Sequence, residues 1–313
     1  MPELVTFGES PLRLSPPDSE RLETAMELGS RVTGIESNAA VAASRFGTDG
    51  TWVSRVPDSP LGRRVVAELH QHGIATDVSW AADERQGLVF HESAPDPRGN
   101  RRVYDCGETA MASVTPGDVP LETFETADAV FVGGSSVALS PSAAETAGEV
   151  LHAADAGGAM TALDIDYQPG LWDVDEGRDV LGGLLEDVGV LFANEQQAKT
   201  VLNKTGQPRE LVHTIASEGN FDMVVMTRSE RGAIVCHDNV IHEQDGIECD
   251  AVDETGQHAA FVGAFLDRLL RDAPTDEALR YGVATASLAR TVPGSLATVE
   301  PAEVEGLVDE MDR

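Results

Sequence analysis

The residues best placed to do chemistry lie together in the run from Asp253 to Phe265, Asp-Glu-Thr-Gly-Gln-His-Ala-Ala-Phe-Val-Gly-Ala-Phe. A loop carrying Thr255 and Gly256 leads straight into a small-residue, apolar segment that reaches Leu270. A helix begins this way when its first turn must lie close to something. Its opening N–H groups have no intrahelical partner and carry partial positive charge, so the stretch is a natural anion site. The same pattern also suits a buried helix with a tight initial turn. His258 titrates near neutrality and is a candidate proton carrier.

A second polar group lies at Gly34-Ile35-Glu36-Ser37-Asn38, where a loop enters an alanine-rich helix that Gly47 ends. Asn38 offers donors and an acceptor, which suits a polyol, although Ser37 or Asn38 could instead cap the helix. Other candidates stand at strand ends. Asp164 closes Ala159-Met160-Thr161-Ala162-Leu163, Asn194 closes Val190-Leu191-Phe192-Ala193, and Thr227 closes Met223-Val224-Val225-Met226. From Ala127 onward the pattern alternates strand and helix, the mark of a parallel sheet with helices on both faces. Ser140-Pro141 starts one of those helices with proline at an accepted first-turn position. Residues 14–33 read as polar and irregular. Residues 85–115 read as short two-sided strands, and the helix after Thr51–Val56 reads from Arg63 to His72.

The Asp253–Phe265 run resembles the second signature of the PfkB (ribokinase-like) carbohydrate kinases, D-T-x-G-A-G-D-A-F-x-G-A-F. Asp253, Thr255, Gly256, Ala260, Phe261, Gly263, Ala264 and Phe265 fit that frame; Glu254, Gln257, His258 and Ala259 do not. Gly34 and Asn38 fit the first signature, at positions that face sugar hydroxyls. Asp164, Leu171 and Trp172 fit the phrase D-x-N-x-R-x-x-L-W, with Asp166 for the asparagine and Gln168 for the arginine. Asn194 fits N-x-x-E, but Gln197 stands at the glutamate, which leaves Glu195 as its only nearby acidic substitute. Thr227 and Gly232 fit the nucleotide loop, where Ser229 replaces a glycine. The nearest branch is that of the 2-keto-3-deoxygluconate kinases.

The resemblance implies an α/β fold: a single ribokinase-like domain over 1–313, three layers α/β/α, a mostly parallel central sheet and a small β lid from about 9–33 and 85–115. It implies ATP with Mg²⁺, a small sugar or sugar acid as substrate, and a homodimer through the lid. Thr255 and Gly256 would form the anion hole, Asn194, Thr227 and Gly232 the nucleotide site, and Gly34, Asn38 and Asp164 the substrate site, with no dedicated metal ligand. The family's proton-accepting aspartate falls at Ala259, so activity is expected to be impaired, with His258 as a substitute base. The alternative is a kinase-fold protein without transfer, acting as a ligand-binding or regulatory subunit. Tyr104-Asp105 replaces a substrate-binding arginine phrase, and an acid there would repel a sugar carboxylate; Arg101 and Arg102 lie nearby.

The charge balance narrows the partners. The chain has 54 acidic against 22 basic residues, with Lys199 and Lys204 the only lysines. Acid spread along the chain argues against nucleic-acid or anionic-membrane binding. It resembles the composition of salt-in halophilic proteins. Self-repulsion would be strong in dilute buffer, since the Debye length is about 10 Å at 0.1 M salt. No apolar run reaches membrane-span length, and Met1–Leu4 lacks signal-peptide character. Cys106, Cys236 and Cys249 show no metal spacing and read as reduced thiols in a cytoplasmic protein.

Overall fold

The computed structural model describes residues 3–17, 20–94 and 97–311. A nine-stranded sheet forms the body, in the order β13-β12-β11-β10-β9-β8-β1-β4-β5. Its strands are β1 (Glu3–Phe7), β4 (Asp49–Pro57), β5 (Ala75–Ala81), β8 (Ala129–Gly133), β9 (Met160–Asp164), β10 (Val190–Asn194), β11 (Met223–Thr227), β12 (Ala233–His237) and β13 (Val240–Gln244). All pairings are parallel except β11 with β12 and β12 with β13. A separate four-stranded sheet, ordered β3-β2-β6-β7, comprises β2 (Leu12–Ser15), β3 (Gly29–Val32), β6 (Leu88–Glu92) and β7 (Arg101–Asp105). Residues 14–33 are therefore not simply irregular: β2 and β3 pair antiparallel there.

The helices are α1 (Ile35–Arg45), α2 (Pro60–Gln71), α3 (Leu121–Glu125), α4 (Gly134–Val137), α5 (Pro141–Gly157), α6 (Val174–Gly182), α7 (Glu195–Thr200), α8 (Pro208–Glu218), α9 (Gln257–Leu270), α10 (Thr275–Ala289) and α11 (Pro301–Met311). Strand alternation decides the layers. Val130, Val132, Leu191 and Val224 join the core beneath α5, α6 and α8, whereas Phe131, Phe192 and Val225 join the core beneath α1, α9 and α10. Such strands, buried on both faces, are what a covered parallel sheet requires. The helix after β4 starts at Pro60, three residues earlier than the sequence pattern suggests, because Ser59 caps it by accepting from the Gly62 amide.

Small residues let α1 and α9 lie almost in contact. A side chain at Gly263 would meet the Ala39 carbonyl oxygen at 2.2 Å. Phe261 stacks on Phe265, which meets Phe192 edge-on at 5.8 Å. That aromatic column fixes α9 against the sheet, so its first turn lies at the C-terminal ends of β9, β10 and β11. Ligand crevices of open α/β sheets form at such strand ends.

Candidate active site

A cleft of about 420 Å³ runs between the four-stranded sheet and those strand ends. Of the residues singled out in the sequence, Gly34, Asn38, Asn194, Thr227, Gly232, Thr255, Gly256, His258 and Ala259 line it, and so do Asp166, Gln168 and Arg102. Asp164 does not.

The turn before α9 is where the sequence places an anion hole. Gly256 has φ 87°, and a Cβ there would strike the Ser295 carbonyl oxygen at 2.1 Å. Glycine is required on both counts. The Thr255 amide donates to Asp253 Oδ1 at 2.9 Å. Among the described residues the amides of Gly256 through Ala259 have no protein acceptor, and they are the donors left for an anion. Arg13 of β2 reaches across to Asp253 at 2.7 Å, a nearly buried pair joining the lid to this turn. Burial would push the Asp253 carboxyl up, but Arg13 and the Thr255 and Gly294 amides hold it down at about 2.

His258 leaves the first turn of α9 and ties two strand ends together. Its Nε2 bonds Asp164 Oδ2, and its Nδ1 lies 3.2 Å from Thr227 Oγ1. Burial would lower the imidazole's pKa, yet the Asp164 charge and hydrogen bond raise it overall, which favours the charged ring. The substitute-base expectation meets an obstacle here, since neither nitrogen is left for a substrate proton. Asp164 is also corrected as a substrate contact. It is fully buried, and its second oxygen accepts the Asp166 amide at 2.8 Å.

The N-x-x-E-like phrase is used structurally. Asn194 caps α7 by accepting from the Gln197 amide, and Gln197 Oε1 accepts the Asn194 amide, each at 2.8 Å. Glu195 does not replace the missing acid, because Lys199 and Arg231 hold it. Ser229 sits at φ 54°, a conformation that glycine adopts freely. Gly246, Ile247, Val283, Ala286 and Ser287 continue the wall, giving this end a partly apolar surface.

The opposite wall is polar and open. Gly34 precedes α1 with φ 143°, and a Cβ there would meet the Glu9 carbonyl oxygen at 2.4 Å. Neither Ser37 nor Asn38 caps this helix. Instead Asn38 is 3% exposed, lines the cleft, and its Oδ1 has no partner. Glu36 anchors the same turn by accepting the Gly133 amide at 3.1 Å, and burial pushes its carboxyl well above the usual range.

On β7, parity turns Arg102 and Tyr104 into the cleft, which Cys106 just past the strand also lines, while Asp105 faces away and pairs with Arg85 at 2.6 Å. The repulsion expected from Asp105 is therefore absent. His91 sits opposite Arg102 across β6 and β7. It is 2% exposed, lines the cleft and has no partner for either ring nitrogen. Burial, then the charges of Arg102 and Arg13, pushes its pKa down to about 4. Among the described residues no carboxylate pairs with Arg102, so it is the cleft's available cation on this wall.

Comparison with known proteins decides what this arrangement is. The model of the pfkB family carbohydrate kinases matches residues 1–302. The chain belongs to the PfkB carbohydrate kinase family. A 2-dehydro-3-deoxygalactonokinase of Haloferax volcanii is 45% identical over 303 residues, 97% of this chain and 95% of the relative. A 2-dehydro-3-deoxygluconokinase of Thermoproteus tenax is 27% identical, covering 98% and 94% of the two chains. The crystal structure of a 2-dehydro-3-deoxygluconokinase from Thermotoga maritima superposes with a TM-score of 0.93 at 27% identity, covering 99% of this PfkB chain and 100% of that one. The ribokinase-like architecture, with its largely parallel sheet and small β lid, is thus that of the family.

Proposed function

We propose that this chain is an ATP-dependent kinase of 2-keto-3-deoxy sugar acids. The observation that carries the reading is the inner face of the lid. Arg102, exposed on its strand, has no acidic partner, and the buried His91 opposite it has two unbonded nitrogens; a sugar carboxylate would pair with the first and accept a hydrogen bond from the second. Asn38 Oδ1, equally unpartnered, suits a sugar hydroxyl. The extended similarity to the 2-dehydro-3-deoxygalactonokinase of Haloferax volcanii supports the same substrate class.

ATP lies, in this reading, along Asn194, Thr227, Gly232 and the apolar wall of α10, with its terminal phosphate at the amides of Gly256 to Ala259. Among the described residues no three His, Cys, Asp or Glu side chains converge on a metal-sized site. In this reading Mg²⁺ arrives with the nucleotide's own phosphates and keeps several of its waters.

A second reading, ligand binding without transfer, is favoured by one observation: the residue after His258 at the anion hole is Ala259, which cannot take a proton. Incubation with ATP, Mg²⁺ and either 2-keto-3-deoxygluconate or 2-keto-3-deoxygalactonate in molar KCl separates the two. Sugar-phosphate formation supports the kinase; tight sugar-acid binding by calorimetry with no phosphate transfer supports the second reading.

A further inference from the structure

A hydroxyl that attacks ATP must lose its proton, and a positioned base supplies this for about 10²–10⁴-fold in rate. Four carboxylates line the cleft: Glu9, Asp166, Glu230 and Glu254. Glu254 and Glu230 face Arg290 at 3.4 and 3.3 Å, toward the nucleotide end. Glu9 is 7% exposed and packs against Cys106 and Thr109, beneath Gly87. Asp166 remains.

We propose that Asp166 is the proton acceptor of this enzyme, a proposal that rests on the kinase reading above. The substrate O–H bond breaks as its oxygen forms a new bond to the terminal phosphorus of ATP. The bond from that phosphorus to ADP breaks, ADP leaves with its electron pair, and the proton passes to an Asp166 carboxylate oxygen.

Geometry places this carboxylate at the transfer corner. The Asp166 amide donates to Asp164 Oδ1, whose other oxygen holds His258 beside Ala259. Its backbone lies at φ 29°, a strained value for a non-glycine residue, and such strain gathers at functional sites. The side chain is oriented without being neutralised. Gln168 Nε2 donates to Asp166 Oδ1 at 2.7 Å and Ser135 adds a hydrogen bond, but among the described residues no lysine or arginine pairs with it. Gln168 in turn accepts from the Tyr104 hydroxyl at 2.8 Å, so the lid is linked to the orientation of Asp166. The titratable groups facing it are Asp164, His258, Glu36 and Tyr104. Burial, then the Asp164 charge, pushes its carboxyl up to about 6, near the pH at which a base works best.

The test is Asp166→Asn in the full chain, in molar KCl, with a 2-keto-3-deoxy sugar acid, ATP and Mg²⁺. We expect kcat to fall by about 10²–10⁴-fold, with calorimetric affinities for sugar acid and ATP retained. Wild-type kcat should fall below about pH 6 as the base protonates. A variant kcat close to wild type overturns the assignment. If the variant does not fold, a wild-type kcat that stays flat from about pH 8 to 5 overturns it equally. Wild-type protein that binds both ligands yet forms no sugar phosphate refutes the kinase reading itself, a result distinct from an active Asp166→Asn.

Discussion

The two walls of the cleft treat their polar atoms in opposite ways. On the lid and α1 side, both nitrogens of the buried His91 and Asn38 Oδ1 lack partners, and the exposed Arg102 beside them lacks an acid. At the strand ends, apart from the open amides before α9, the polar side chains of the motifs are satisfied within the chain: His258 is shared by Asp164 and Thr227, and Asn194 and Gln197 close on each other. Unsatisfied buried polar atoms are costly and mark a place prepared for a ligand. Satisfied ones hold a backbone in position. In the proposed reading, substrate selection and group transfer rest on different residues, and replacements at the second site leave the first intact.

The largest effect that sharpens this contrast is that of salt, because it acts oppositely on the body and on the lid. With 54 acidic against 22 basic residues, cooperative thermal unfolding should disappear or its Tm fall steeply from molar to millimolar KCl. Sugar-acid affinity, resting on Arg102, should instead weaken as KCl rises. A Tm independent of salt would remove the first half of that contrast. Next, His258→Ala leaves the fully buried Asp164 with one hydrogen bond. The cost should be about 3 kcal/mol of stability, the low end for breaking a buried pair, because the imidazole side chain is 29% exposed. Sugar-acid binding should persist in that variant; its loss would show that the transfer corner also selects the substrate.

Arg102→Ala should weaken sugar-acid binding about tenfold to a hundredfold, the range for a charge-assisted hydrogen bond, while ATP affinity is retained. Equal weakening for a neutral sugar would contradict a carboxylate contact. The smallest effect is a proton count. His91 is held neutral at pH 7 because burial and two arginines lower its pKa to about 4. An arriving carboxylate favours the charged ring, so binding should take up a fraction of a proton. Calorimetry in two buffers of different ionisation enthalpy measures it, and His91→Gln should abolish it.

Much of the body was legible in the residues themselves. Ser140-Pro141 does open α5, with Ser140 accepting from the Ala143 amide, and Gly47 follows α1 at φ 92°. The small residues of α9 predicted a close approach, and Gly263 makes one. These features are local, so spacing reveals them. Strands β2 and β3 were hidden because β3 buries only Val32 and carries no two-sided apolar pattern. The parity that turns Asp105 outward depends on register with β6, which the chain alone does not announce. The Asp164–His258 and Arg13–Asp253 pairs join residues 94 and 240 positions apart. Such contacts remake the meaning of a motif residue: Asp164 matches a family phrase, yet its carboxylate serves His258.

One measurement tests the central claim most directly. A mixture of equal parts 2-keto-3-deoxygluconate and fructose, with ATP and Mg²⁺ in molar KCl, is followed by mass spectrometry of the products. A lid that selects a carboxylate and a corner that still transfers phosphate predict phosphorylated sugar acid with little fructose phosphate. Equal phosphorylation of both sugars, or of neither, would contradict that account.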